Sequence, residues 1–246
     1  MKKSGKAKEI LKRLESMGSP EDAVFLQRFF KTGKGQYGEG DLFRGIRTSP
    51  LRALEREFKD LPPEGAALLL ESPFHEDRAF AVIHLAELFE RGGDELRERI
   101  YSLYMEGAIA GRVNNWDLVD ISAPQIVGGY FEGKSKKPLR ALAKSRSLWL
   151  RRIAIVSTLH FIRGKELDET FAIAEILLKD KEDLIHKASG WMLREAGKRD
   201  ADAEESFLKK HAHEMPRTAL RYAIERFPEE RRLFWLAAGK GSKSRP

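Results

Sequence analysis

At 246 residues the chain is long enough to bury a sizeable core, and a hydrophobic content of 41% beside 34% charged residues excludes a disordered chain and favours long, solvated helices. Lys and Arg outnumber Asp and Glu by 45 to 38, so the net charge of +7 points to an anionic partner wherever the excess is clustered. With no cysteine, disulfides, thiolate metal sites and a cysteine nucleophile are excluded, in keeping with a reducing cytoplasm.

The opening MKKSGKAKEILKRLESMG is basic but has no apolar run long enough for a secretory signal. No later stretch approaches the roughly 20 apolar residues of a spanning helix, so no membrane association and a cytoplasmic location are expected. Apolar residues recur at helical spacing, as in Ala81, Leu85, Leu88 and Phe89, and again in Ile153, Val156, Leu159 and Ile162. Turn chemistry interrupts them at Gly18-Ser19-Pro20, across 33–45, at Leu61-Pro62-Pro63, Ser72-Pro73 and Gly92-Gly93, across 133–138, and at Gly164, Asp180, Asp200 and Met215-Pro216. This punctuation predicts about a dozen helices and an all-α fold. Gly33-Lys34-Gly35-Gln36-Tyr37-Gly38 fits the GxGxxG string, but no strand precedes it, and it reads as a flexible surface loop. The six histidines contain no HExxH pair and read as core or surface residues, so neither a metal nor a cofactor is expected. The tail 239–246 reads as disordered, leaving 1–238 as a single domain.

A basic residue followed by small or apolar ones recurs at Arg78-Ala79-Phe80-Ala81, Arg152-Ile153-Ala154-Ile155, Lys187-Ala188-Ser189-Gly190 and Arg221-Tyr222-Ala223-Ile224, at intervals of 74, 35 and 34 residues. The first interval is two periods, and a period near 35 is the register of paired-helix arrays, so an α-solenoid is predicted. Equivalent positions of such an array lie side by side, giving a row of cations. One period before Arg152 the count lands on Asp117, within Asn114-Asn115-Trp116-Asp117-Leu118-Val119-Asp120, where acids replace the base.

In that segment Asn114 reads as the helix N-cap and Asp117 as a first-turn acid favoured by the helix dipole. Asp120 lies a turn deeper, beyond the dipole's reach. Val119, Ala123, Ile126 and Tyr130 form a core stripe, while Trp116 and Asp120, four apart, share an adjacent face. A second mixed face runs along 182–197, where Lys187, Trp191, Arg194 and Lys198 fall at helical spacing. Trp149 with Arg152, and Arg217 with Arg221, are pairs of the same kind. Each has a plainer reading, an indole packed on cationic stems or a charge paired with a neighbour. Their recurrence at the repeat period points to a nucleic-acid track.

The strings RFFKTGKGQYGEGDLFRGIR, NNWDLVDISAPQIVG, LWLRRIAIVSTLHFIR, DLIHKASGWMLREAGKRD and MPRTALRYAIERFPEE together resemble the AlkD branch of the AlkC/AlkD DNA alkylation repair family, from about residue 20 to about 235. The resemblance implies a solenoid of HEAT-like helical pairs with a concave, basic DNA-binding surface. It also implies excision of cationic N3- or N7-alkylated purines from duplex DNA, without flipping the base into a pocket. Carried over by motif, the catalytic aspartate corresponds to Asp120, the two DNA-facing indoles to Trp116 and Trp191, and the arginine of the WLxR string to Arg152. Lys187, Arg194, Arg78, Arg217, Arg221 and Trp149 are the further candidate DNA contacts. Phe29, followed by Phe30, stands where the best-studied type has a tyrosine, and the 33–45 insertion also departs from that type. A monomer is expected, because the cationic row must stay open to DNA. Two other uses of the fold stay open, a non-catalytic binder of branched or damaged DNA and a protein-binding scaffold.

Overall fold

A computed structural model describes residues 2–238, with side chains from Gly5 onward. Among these residues the regular structure is helical, and an all-α fold is what the helical spacing predicts. The chain divides into two compact units, residues up to Ile126 and residues from Val127. The tail expected to be disordered, 239–246, lies outside the described residues.

The first unit contains α1 (Lys2–Ser16), α2 (Pro20–Phe29), α3 (Thr48–Glu57), α4 (Pro63–Leu70), α5 (His75–Arg91), α6 (Asp94–Ile109) and α7 (Trp116–Asp120). Its boundaries follow local chemistry: Ser19 accepts the Asp22 N–H at the head of α2, and Pro20 and Pro63 open α2 and α4, where a missing N–H costs nothing. α5 is the centre, packed by α1, α3, α4, α6 and α7. Every residue from Ala79 to Ala86 is buried, so this helix is apolar almost all round, as a core helix must be. Its one polar interior residue there, His84, spans the Glu55 carboxylate (2.9 Å) and the Leu61 carbonyl (2.8 Å).

The stretch 33–38, read as a surface loop, is exposed at its tip, 33–36, and the chain that follows it turns into the fold. Asp41, Phe43 and Ile46 are buried, and Leu42 pairs with Phe74 in an isolated parallel bridge. Gly45 has φ +83°, and a Cβ there would run into the backbone of Ser19 and Ala23, so only glycine fits.

The apolar stripe through Val119, Ala123, Ile126 and Tyr130 does not lie on one continuous α-helix. α7 ends at Asp120, and a π-helical turn covers Pro124–Gly128. The cause is Pro124, which has no N–H for the Asp120 carbonyl and whose ring clashes with it. Val119, Ala123 and Ile126 are nonetheless buried.

The second unit contains α8 (Lys137–Leu142), α9 (Leu148–Ser157), α10 (Leu159–Arg163), α11 (Asp168–Ile176), α12 (Asp183–Gly197), α13 (Ala201–His211), α14 (Arg217–Ala223) and α15 (Glu229–Ala238). Within it α12 packs on α9 and α14, the helices that carry the periodic residues Arg152, Lys187 and Arg221. α12 and α14 meet where α12 has no side chain. A Cβ on Gly190 would collide with the Ala219 carbonyl and with Tyr222 Cβ at 2.5 Å. Gly190→Ala is therefore expected to destabilise the protein by about 1–3 kcal/mol despite its better helix propensity. A melting temperature equal to or above wild type would mean that the helices can part freely there.

Candidate nucleic-acid interface

α5 begins with four successive ionisable residues, His75-Glu76-Asp77-Arg78, all buried. Buried charges survive only when paired, and these four are paired with residues of 41–46, with Ser72 and with Asp117. Glu76 accepts three consecutive backbone N–H groups, from Arg44 (2.9 Å), Gly45 (2.8 Å) and Ile46 (3.1 Å). Asp77 accepts both Nε (2.7 Å) and Nη2 (2.9 Å) of Arg44 and the Ser72 hydroxyl (2.6 Å). Arg78 donates to Asp41 (2.7 Å) and to the Ser72 carbonyl (2.9 Å). Arg78 is only 3% exposed, so it is an interior clamp and cannot meet a phosphate as the cationic row required.

His75 reaches the head of α7. Its Nε2 bonds the Asp117 carboxylate at 2.8 Å, and its Nδ1 lies 3.8 Å from Asp41. Burial alone would depress the imidazolium. The charge of Asp117 and the hydrogen bond to it, with Asp41 behind the ring, outweigh burial and raise the His75 pKa to about 9. Burial likewise pushes Asp41 up, but the facing His75 ring, the Arg78 charge and the hydrogen bond from Asn114 hold it below the usual carboxylate range. Asn114 thus donates to Asp41 (2.8 Å) and is not the N-cap. That role falls to Asn115, whose side chain accepts the Trp116 N–H at 2.9 Å.

Above this polar floor lies an aromatic cluster. The His75 ring is flanked by Phe30 and Phe43, with centroids 4.9 and 4.7 Å away. The half-buried Trp116 indole stacks on Phe30 (5.4 Å, 25°) and meets Phe29 edge-on (6.1 Å, 64°). Phe29 is 54% exposed and stacks on Phe25, which is 62% exposed. Asp120, at the other end of α7 from Trp116, is half-buried. Its negative charge adds to burial in raising the pKa of the Tyr104 hydroxyl, which pairs with Ser122 at 2.9 Å.

In the second unit Trp191 and Lys187 are half-buried on α12, and Lys187 is paired with Asp183 at 2.8 Å. Arg194 engages Glu225 and Glu195. Arg217 is half-buried and donates to the Leu236 carbonyl (2.8 Å), Arg221 is exposed, and Trp149 is half-buried on α9. Arg152 departs from the expected open position: it is 5% exposed and donates to the Leu184 carbonyl at the head of α12 (2.5 Å). Of the four periodic cations, Arg78 and Arg152 are therefore interior, while Lys187 and Arg221 reach solvent.

Residues 10–227 match the family model of the DNA alkylation repair enzyme. The chain belongs to that family. Membership gives it a role in DNA repair, with DNA as its substrate. The fold is similar to the solved structure of a predicted DNA alkylation repair enzyme from Enterococcus faecalis, with a TM-score of 0.68 at 17% identity, covering 87% of this chain and 98% of that one. No curated protein matches the chain. No helix among the described residues is long and apolar enough to cross a membrane.

For this member of the family, the residue that sequence reasoning missed is His75. A lone histidine carries no motif, yet its place in a run of four ionisable residues directly before the all-buried stretch of α5 was a usable signal. Such a run can be buried only if it is fully paired.

Proposed function

We propose that the protein is a DNA glycosylase that hydrolyses the N-glycosidic bond of cationic N3- or N7-alkylated purines in duplex DNA, acting as a monomer. The observation that supports this best is α7, which presents an indole at one end and a half-buried carboxylate at the other. Trp116 is braced by Phe29 and Phe30, and the turn that carries it is tied to α5 by Asp117 and His75. An alkylpurine that already bears a positive charge leaves without a general acid. As its bond to C1′ breaks, the electron pair returns to the ring nitrogen and cancels that charge. Positive charge then grows on the sugar, where a nearby carboxylate is worth most. Asp120 supplies that charge and orients a water whose oxygen bonds to C1′, its proton passing to solvent. Trp116 packs on the deoxyribose and excludes bulk water, and in the second unit Arg152 fixes from inside the head of α12, the helix that carries Trp191.

The test is release of free 7-methylguanine from a duplex holding one such lesion, read by chromatography. Release supports glycosylase action. No release, together with salt-sensitive binding of duplex or branched DNA, would make the protein a binder of DNA structure instead.

The phosphate contacts in this reading come from cations that reach solvent, Lys187, Arg194, Arg217 and Arg221 with the indole of Trp149, since Arg78 lies inside. Lys187→Ala is expected to lower the slope of log affinity against log salt by about one unit. An unchanged slope in a duplex-binding titration would remove Lys187 from the interface.

A further inference from the structure

Within the first unit α3 and α5 enclose a groove, and one stripe of α5 runs its whole length: His75, Ala79, Ile83, Glu87 and Arg91, each four residues after the last. The two halves of the groove differ in chemistry. Beside Trp116 and Asp117 it is a cavity of about 400 Å³ walled by Leu51, Ala79 and Ile83, with the exposed Arg47 at its edge. Farther along α3 it becomes a cavity of about 340 Å³ lined by Arg52, Arg56, Lys59 and Arg91 with Glu55 and Glu87.

The cations of this far half are uncommitted. The acids carried by α3 and the turn after it are already taken: Glu57 holds Arg13 of α1 (3.1 Å), Glu55 holds His84 (2.9 Å), and Asp60 holds Lys6 of α1. Arg52, Arg56 and Lys59 are exposed and form no ion pair among the described residues, and Arg91 gives only its Nε, to the Glu87 carbonyl (3.1 Å). On α12, by contrast, Lys187 and Arg194 are each paired with an acid. Glu87 is the one carboxylate of the cavity left to answer four cations, so the groove faces solvent with a positive excess. Arg52 and Arg56, one turn apart, also repel each other, a cost that an anion lying between them removes.

Length decides which anion fits. From Ala79 to Arg91 the stripe spans about 18 Å at 1.5 Å per residue. That is the rise of about five base pairs at 3.4 Å each along a strand. A small anion would occupy one end of it, whereas a strand leaving α7 meets Arg47, then Arg52 and Arg56, then Lys59 and Arg91. We infer that α3 is a phosphate track, which holds one strand of the duplex for about five base pairs to one side of the lesion. The track rests on the glycosylase reading only for placing the lesion at α7, and otherwise needs only DNA. It gives the first unit the outward cations that the buried Arg78 cannot provide.

The experiment follows binding of the full chain by fluorescence anisotropy to duplexes holding one tetrahydrofuran, an abasic-sugar mimic with no base to release. Each arm of the duplex is shortened in turn, from about ten base pairs to about three. Cutting one of the two arms is expected to lower wild-type affinity about tenfold or more, and Arg52→Gln/Arg56→Gln/Lys59→Gln should be indifferent to that cut. On a long undamaged duplex the same variant should show a slope of log affinity against log salt about two to three units shallower. All three residues are exposed, so the variant should keep its helical circular dichroism. If it does not, Arg56→Gln alone serves, with about one unit of slope at stake. An unchanged slope, or an arm dependence that the variant keeps, overturns the track. Binding of inorganic phosphate that the variant loses while its duplex binding stays intact overturns it too, because the cavity would then be a small-anion site. The two readings fail separately: the expected slope and arm effects without excision of 7-methylguanine keep the track and remove the glycosylase, whereas excision with an unchanged slope removes the track and keeps the glycosylase.

Discussion

Asp120→Asn is expected to abolish detectable release of 7-methylguanine, with kcat falling by at least about 10²–10³-fold, while affinity for undamaged duplex holds or improves. The magnitude follows from what the carboxylate is asked to do. Its charge is opposed to a cation that exists only as the glycosidic bond breaks, so its loss raises the barrier without weakening the ground-state complex. Half-buried at the end of α7, Asp120 acts through a lower effective dielectric than a fully exposed acid and is worth correspondingly more. Asn keeps the shape and one acceptor oxygen, so the local packing and the Tyr104–Ser122 pair beside it persist. Removing a negative charge from a DNA-facing surface also relieves repulsion with phosphates, which is why binding tightens if it changes. Single-turnover release and a binding titration, measured on the same variant, separate the two effects. Release that survives in Asp120→Asn would move the chemistry to another residue and leave α7 with a positioning role.

How much of this was legible beforehand depended on whether the determining contact was local. Helix ends were, because Ser19-Pro20, Pro62-Pro63, Asp200 and Met215-Pro216 act within a turn of themselves. The helical spacing and the periodic residues placed α9, α12 and α14 as equivalents, and those helices do pack together. The burial of Arg78 and Arg152 was not legible. Their partners, Asp41 and the Leu184 carbonyl, lie 37 and 32 residues away, and nothing in the spacing of a basic residue says whether its guanidinium turns inward. The same holds for the 33–45 segment. Glycine content described its exposed tip well, whereas the inner half is fixed by Glu76, which binds its N–H groups from 30 to 32 residues away. Asn114 reads as the N-cap from sequence, but its tie to Asp41, 73 residues away, leaves that role to Asn115.

Removing the His75 side chain is expected to produce the largest loss of stability of any single change in the first unit. His75→Ala leaves the Asp41 and Asp117 carboxylates short of a partner beneath the aromatic cluster and opens a hole between Phe30 and Phe43. Breaking one side of a buried charge pair costs about 3–5 kcal/mol, or on the order of 6–20 °C in Tm for a chain of this size. The same contact predicts a pH dependence with a definite sign. The folded-state pKa, about 9, lies above the ordinary value of 6.5, so the folded protein holds a proton that the unfolded chain gives up between those limits. Stabilisation from the His75–Asp117 pair is fully present below pH 6.5 and is lost as pH rises through 9. Glu204, which burial and the neighbouring Glu205 charge keep protonated up to about pH 8, lowers stability with rising pH in an overlapping window. The informative quantity is therefore the difference between wild type and His75→Gln, which keeps a hydrogen-bonding side chain without the charge. That difference should shrink steadily from pH 6.5 to 9.5, and lesion release should fall with it, because the pair that fades is the one tying Trp116 and Asp120 to α5. A difference that stays constant across this range would mean that the ring is neutral throughout and that α7 is held by the packing of Trp116 on Phe29 and Phe30.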